Sequence, residues 1–186
     1  MKLYRIILVD DEEEIRKSII RKIKWEENGF LVAGDAENGE DALEKIELLE
    51  PDLILTDIRM PYMDGLTLAE RVRQKYPSMK IVIFSGYDDF EYAKQAIKLN
   101  VTEYILKPVN VEELTAILQK IKANLDQEIE QKRNVNLLRE NYIKSLPILR
   151  EQFLNELVNA PIAYETVQTR LKEYGISLSG AQKWVA

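Results

Sequence analysis

Over the first 122 residues, short apolar runs alternate with stretches whose apolar residues return every three or four places. Leu3–Val9 (LYRIILV) reads as a buried strand that ends in acids. Glu12–Lys24 reads as a helix, because Ile15, Ile19, Ile20 and Ile23 fall on one side at 3.6 residues per turn. A weaker strand follows at Phe30–Ala33, then a turn at Asn38-Gly39 and a helix over Asp41–Glu50 carrying Ala42, Leu43, Ile46 and Leu49, stopped by Pro51-Asp52. The pattern repeats three more times. Its strands are Leu53–Thr56, Lys80–Ser85 and Val101–Leu106; its helices are Leu66–Tyr76, Phe90–Leu99 and one that begins near Val111. Five strand–helix pairs in alternation predict a parallel sheet covered on both faces by helices. Right-handed crossovers make that a doubly wound α/β domain.

The last helix continues past the point where such a domain closes. From Val111 to about Lys144 there is no Pro or Gly. Steps of four and three from Leu114 pass through Leu118, Ile121, Leu125, Glu128, Lys132, Val135, Arg139 and Tyr142. Six of those nine positions are apolar, the pattern of an imperfect coiled-coil seam and hence of a homodimer. The same residues also fit one packing helix that runs into a solvated linker around Asp126–Asn134. Pro147 is expected to interrupt the helix, with a short helix resuming over Ile148–Val158. Another helix opens at Ala160-Pro161 and is capped by Gly175, and short strand pieces are expected at Ile176–Leu178 and Lys183–Val185. The organisation read from this is a domain over 1–122, an extended helix over 111–145 that overlaps its end, and a partial, mostly helical region over 146–186.

Composition narrows the chemistry. The 186 residues include no Cys and no His. That excludes disulfides, thiolate zinc sites, a Ser-His-Asp triad and a phosphohistidine. Any metal must be held by oxygen, which points to magnesium, calcium or manganese. The net charge of −6 lies wholly in residues 1–122, with 18 Lys+Arg against 24 Asp+Glu, while 123–186 hold eight of each. Neither part has the basic excess of a nucleic-acid-binding domain. No apolar run is long enough to span a membrane, and the N-terminal segment meets acid too early for a signal peptide, so the simplest compartment is the cytoplasm.

Ligands of open parallel sheets sit at the carboxyl ends of the strands. Asp10-Asp11 follow the first strand, Asp57 the third, Ser85-Gly86 the fourth, and Lys107-Pro108 the fifth, close to Tyr104. Three carboxylates brought together repel one another, and a divalent ion such as Mg²⁺ relieves this. Capping of the first helix would account equally for Asp10, Asp11 and Glu12–Glu14. It does not account for Asp57, which appears where an apolar strand emerges. Pro108 biases Lys107 to an extended backbone and permits a cis bond, so its ammonium can be aimed at the acids. Ser85 offers a hydroxyl to the same group, or is an ordinary strand-end serine.

The acid pair in ILVDDE, LILTDIRMPYMDG around Asp57, IVIFSGY and YILKPV together resemble the receiver domain of two-component response regulators, across residues 1 to about 122. The spacing agrees: 28 residues from Asp57 to Ser85, and 22 from Ser85 to Lys107. The resemblance implies a flavodoxin-like (βα)5 fold. It implies that Asp57 is phosphorylated by a sensor histidine kinase, and that Asp11, Asp57 and the backbone carbonyl of Arg59 hold Mg²⁺ directly while Asp10 acts mainly through water. Ser85 and Lys107 would hold phosphoryl oxygens, and Tyr104 would be an aromatic switch that turns inward when Ser85 moves. Such a chain is not an enzyme beyond self-catalysed phosphotransfer and autodephosphorylation.

FSGYDDFEYAKQAIKLNVTEYILKPV, the long helix, REQFLNELVN and LKEYGISL further resemble regulators that end in an AraC-type helix-turn-helix pair. That resemblance implies a cytoplasmic transcriptional regulator that meets DNA only through an output domain lying beyond these residues. Two other readings share the residue set. A haloacid-dehalogenase-type hydrolase also uses Asp, magnesium and Lys, but it needs an acid two residues after the nucleophile, where this chain has Arg59. A receiver-like interaction module would need no phosphorylation, and the complete set Asp10, Asp11, Asp57, Ser85 and Lys107 argues against it.

Overall fold

A computed structural model describes residues 3–86, 90–159 and 161–177. The chain divides into two compact units, Met1–Asp126 and Gln127–Ala186. In the first unit the strands are β1 (Tyr4–Val9), β2 (Phe30–Ala36), β3 (Leu53–Asp57), β4 (Lys80–Ser85) and β5 (Glu103–Leu106). They alternate with α1 (Glu13–Lys22), α2 (Gly39–Leu49), α3 (Gly65–Lys75), α4 (Phe90–Lys98) and the start of α5 (Val111–Asn159), whose residues after Asp126 belong to the second unit. The sheet is parallel throughout, in the order β2-β1-β3-β4-β5. The order reverses beside β1, so the ends of β1 and β3 form the crevice where such sheets bind ligands.

Alternate residues of each strand enter two cores. Ile6 and Leu8 of β1, Leu53 and Leu55 of β3, and Val82 and Phe84 of β4 pack with Ile19 of α1, with Ile23 just past its end, and with Leu114, Leu118, Ile121 and Leu125 of α5. Ile7, Val9, Ile54, Ile81 and Ile83 pack on the other face with Ala42 and Ile46 of α2, Leu68, Ala69 and Val72 of α3, and Ala96 of α4. The central strands are apolar on both faces because both faces are covered.

β2 is longer than its apolar residues predict. It continues through Gly34, Asp35 and Ala36, which pair with Ile7, Leu8 and Val9 after a register shift between Ile6 and Ile7. The charge of Asp35 hides the strand from a hydrophobicity reading, but its carboxylate is taken up by Arg16 at 2.8 Å. α2 begins earlier than expected, at Gly39, because the Asn38 side chain accepts from the Glu40 and Asp41 amides. Asp64 caps α3 in the same way through the Thr67 amide.

The largest departures are in α5. Four of the nine proposed seam positions, Leu114, Leu118, Ile121 and Leu125, are buried inside the first unit and are not available to a second helix. Pro147 does not end the helix, which continues to Asn159. Proline removes one amide donor and crowds the preceding turn, a cost of about 3 kcal/mol that this helix carries.

The second unit continues through α6 (Tyr164–Glu173). Phe153 is buried against Tyr174, with ring centroids 5.7 Å apart, and the Arg170 guanidinium lies 5.8 Å from the Phe153 ring. Arg150 donates to the Tyr174 carbonyl at 2.7 Å, and Arg170 pairs with Glu156 at 2.6 Å. Gly175 takes a left-handed φ of 59° just after α6, as its capping role requires. Ile176 and Ser177 are not in a strand; Leu178 and Lys183–Val185 lie outside the described residues.

Candidate functional site

The site forms where β1, β3, β4 and β5 end. Asp10 is the first residue past β1, Asp57 and Ser85 are the last of β3 and β4, and Lys107 is the first past β5. Asp10, Asp57 and Ser85 are buried, while Asp11 is exposed. One carboxylate oxygen from each of Asp10, Asp11 and Asp57 lies within 4.8 Å of the others. The Lys107 ammonium lies 2.8 Å from Asp10 Oδ2 and 3.2 Å from Asp57 Oδ1. It therefore bridges two acids, where the sequence leads one to expect a pair with Asp57 alone. The Lys107-Pro108 bond is cis, and the Lys107 amide donates to the Ser85 carbonyl at 2.7 Å, which fixes the end of β5 against the end of β4.

Burial pushes the Asp57 carboxyl up from its ordinary value. Lys107 opposes the shift and the charge of Asp10 adds to it, so the upward direction wins. Burial alone would lower the Lys107 ammonium, but its hydrogen bond to Asp10 and the charges of Asp10 and Asp57 together raise it. Both shifts thus run upward, from burial at the acid and from the neighbouring acids at the lysine. A cation brought to the three carboxylates would oppose the Asp57 shift by stabilising the charged acid.

The end of β3 is seated by contacts on its backbone. A Cβ on Gly65 would stand 1.9 Å from the Asp57 carbonyl oxygen. Glycine at the start of α3 therefore lets the helix approach the backbone of Asp57, and the Gly65 amide donates to the Ile58 carbonyl at 2.8 Å. Thr56 Oγ1 donates to the Asp57 carbonyl at 2.9 Å, and the Ile58 amide donates to the Phe84 carbonyl at 3.2 Å.

Above these groups lies a cavity of about 240 Å³ lined by Asp11, Glu12, Asp57, Arg59, Ser85 and Lys107. Arg59 stands at its edge, with Nη2 3.4 Å from the Tyr92 hydroxyl and the guanidinium carbon 5.7 Å from the Tyr92 ring centroid. Five of the sequence-derived residues, Asp10, Asp11, Asp57, Ser85 and Lys107, thus meet at one edge, with Arg59 beside them. Tyr104 does not join them. It lies within β5, opposite Ile83, packs into the core shared with α2, α3 and α4, and buries a hydroxyl that has no hydrogen-bond partner among the described residues.

Sequence reasoning missed Arg16 and Gly65. Arg16 shares the buried side of α1 with Ile19 and Ile23, three and seven residues on, and that spacing was the available signal. Gly65 gave a turn signal with Asp64, but its closeness to Asp57 depends on tertiary structure.

The acidic triad and its bridging lysine thus lie at the switch point of a doubly wound α/β domain. The chain belongs to the response regulator receiver domain family, whose model matches residues 6–119. It is 38% identical over 158 residues to the uncharacterized transcriptional regulatory protein YesN of Bacillus subtilis (strain 168), covering 84% of this chain and 42% of that protein. It is 32% identical over 157 residues to the transcriptional regulatory protein HptR of Staphylococcus aureus (strain NCTC 8325 / PS 47), covering 84% and 61%. The chain thus spans roughly half the length of the curated relatives it matches. Among solved structures it is similar to the REC domain of AraT, a response regulator from Geobacillus stearothermophilus, at 40% identity and a TM-score of 0.65 over 68% of this chain and 98% of that one. A two component transcriptional regulator AraC from Clostridium phytofermentans ISDg matches at 35% identity and 0.62, over 67% and 98%. Among the described residues no helix is long and apolar enough to cross a membrane.

Proposed function

We propose that Asp57 is the phosphoacceptor of this receiver and that a sensor histidine kinase is its donor. The supporting observation is the convergence of Asp10, Asp11 and Asp57 with Lys107 at 2.8 and 3.2 Å from two of them. An Asp57 carboxylate oxygen forms the new bond to phosphorus as the bond from phosphorus to the donor's imidazole nitrogen breaks. The donor keeps that electron pair. Lys107 would take phosphoryl oxygens, releasing Asp57 as the group arrives, and Ser85 would donate its hydroxyl to the same group. Transfer to a carboxylate is mostly positioning and charge neutralisation, which these fixed groups provide.

The donor set of three carboxylates fits Mg²⁺. Asp11, Asp57 and the Arg59 carbonyl would hold it, with Asp10 acting through water. When bound it supplies positive charge that offsets the carboxylates and the incoming phosphate. Tyr104 is the switch residue in this reading, since its unpartnered hydroxyl lies in a core that a shift of β4 would disturb. The transcriptional regulators among the relatives support a DNA-binding output beyond these residues. We also propose association through α5 after Asp126, where Val135, Leu138 and Tyr142 stand exposed three and four residues apart.

Incubation with Mg²⁺ and a small phosphodonor, followed by mass spectrometry, tests the acceptor. A gain of one phosphoryl group that disappears in Asp57→Asn is expected. A gain that persists in Asp57→Asn would overturn the assignment, and rapid turnover of phosphate monoesters would favour a hydrolase.

A further inference from the structure

Arg16 is a charged residue in a core position. Its side chain is only 11% exposed. A cation in such a place is tolerated only when its donors are used. Nη1 donates to the Asp10 carbonyl oxygen at 2.5 Å and Nε donates to Asp35 Oδ2 at 2.8 Å. Asp35 is itself held in place, because Lys45 donates to its carbonyl at 2.6 Å and to Asp41 at 2.8 Å.

The consequence falls on Asp10. Its amide donates to the Ala36 carbonyl at 3.1 Å. Its Oδ1 accepts from the Glu12 amide at 2.9 Å, and its Oδ2 accepts from Lys107. With the carbonyl taken by Arg16, every polar group of Asp10 has a partner, and Asp11 is the next residue on this fixed corner. Arg16 holds the corner from behind, so its charge offsets the acids without entering the cavity that they line.

We propose that Arg16 is a positioning residue for the metal-binding corner: by clamping the Asp10 carbonyl against Asp35, it sets Asp10 and Asp11 for a divalent cation. The proposal rests on the acidic triad being the Mg²⁺ site. The flat, forked guanidinium is what allows one side chain to span both acceptors, and a lysine ammonium at that position cannot reproduce the two-point fork. Groups that orient a metal's ligands typically change metal affinity by about 10–100-fold.

Titration of the whole chain with Mg²⁺ alone, by calorimetry, provides the test. Arg16→Lys should weaken Mg²⁺ binding about tenfold. Asp35→Asn, at a half-exposed position that keeps the fold, should weaken it by about threefold, since Arg16 then loses its charged anchor. Phosphorylation by a small donor should need correspondingly more Mg²⁺ for half-maximal rate, while the rate at saturating Mg²⁺ changes by less than about threefold; a general loss of structure would not produce that split. Unchanged Mg²⁺ affinity in Asp35→Asn and in a folded Arg16→Lys would overturn the proposal. If Arg16→Lys fails to fold, Asp35→Asn alone decides. A wild-type chain that binds Mg²⁺ but never takes a phosphoryl group would instead refute the Asp57 reading and leave this one standing.

Discussion

Leu114, Leu118, Ile121 and Leu125, in the first part of α5, are buried, whereas Ile129, Val135, Leu138 and Ile143, further along the same helix, are exposed. Both parts carry apolar residues at helical spacing. In the first part they face the sheet, so burial of one side fixes the helix in place. In the second the helix persists without that burial, supported by its own backbone bonds and, near its end, by Phe153, Arg150 and α6. A hydrophobic period therefore says that a helix has a side to cover, but not what covers it. The polar ends differ in the same way. At the carboxyl edge of the sheet the acids are tied by Lys107 and Arg16, while at the far end of the buried part of α5 the half-exposed Asp126 is tied by Lys122 at 2.5 Å and by the Tyr4 hydroxyl at 2.6 Å.

The contrast is broken most directly by removing one leucine from the buried part. Leu118 is fully buried, so Leu118→Ala loses transfer energy and leaves a cavity, and should cost about 3 kcal/mol. Urea unfolding followed by near-ultraviolet and far-ultraviolet signals would show it. A change below about 1 kcal/mol would mean that the helix is not part of the first unit's core.

Pro147 offers the next largest effect, this time in the exposed part. Proline in a helix interior costs about 3 kcal/mol, and some of that returns through the stiffer unfolded chain. Pro147→Ala should therefore stabilise the second unit by about 2 kcal/mol, with higher helical ellipticity and slower amide exchange over residues 143–150. Unaltered exchange there would show that the helix already breaks at this position in solution.

Much of this architecture is legible in the residues because the signals are local. The five strands stand out as branched apolar runs, and the acids and lysine stand out because charge appears where those runs end. What is hidden depends on partners distant in sequence. β2 reads as ending at Ala33, short of Asp35, until Arg16, 19 residues away, is seen to hold that acid. Gly65 reads as a turn residue until the Asp57 carbonyl is found against it. Leu114–Leu125 fits a coiled-coil seam because packing on a sheet and packing on a second helix require the same period. Lys107 was legible as a partner of Asp57, but its shorter contact is to Asp10, which a one-dimensional reading cannot rank.

The smallest effect is expected from Leu138, and it is the one that separates a solvated helix from a dimerising one. Leu138 is 68% exposed and Val135 is 63% exposed, so neither has much burial to lose within a single chain. At micromolar concentration Leu138→Ala should change unfolding stability by less than about 0.5 kcal/mol, several-fold less than Leu118→Ala. The association proposed through Val135, Leu138 and Tyr142 predicts something further. The difference between Leu138→Ala and wild type should grow with protein concentration, because a dimer buries the leucine that a monomer leaves in water. Leu138→Lys should then lower the dimer fraction in sedimentation while leaving phosphorylation of Asp57 by a small donor unchanged. If the wild-type chain sediments as a monomer at every concentration, phosphorylated or not, the exposed stripe is a solvated helix face and association through α5 is ruled out.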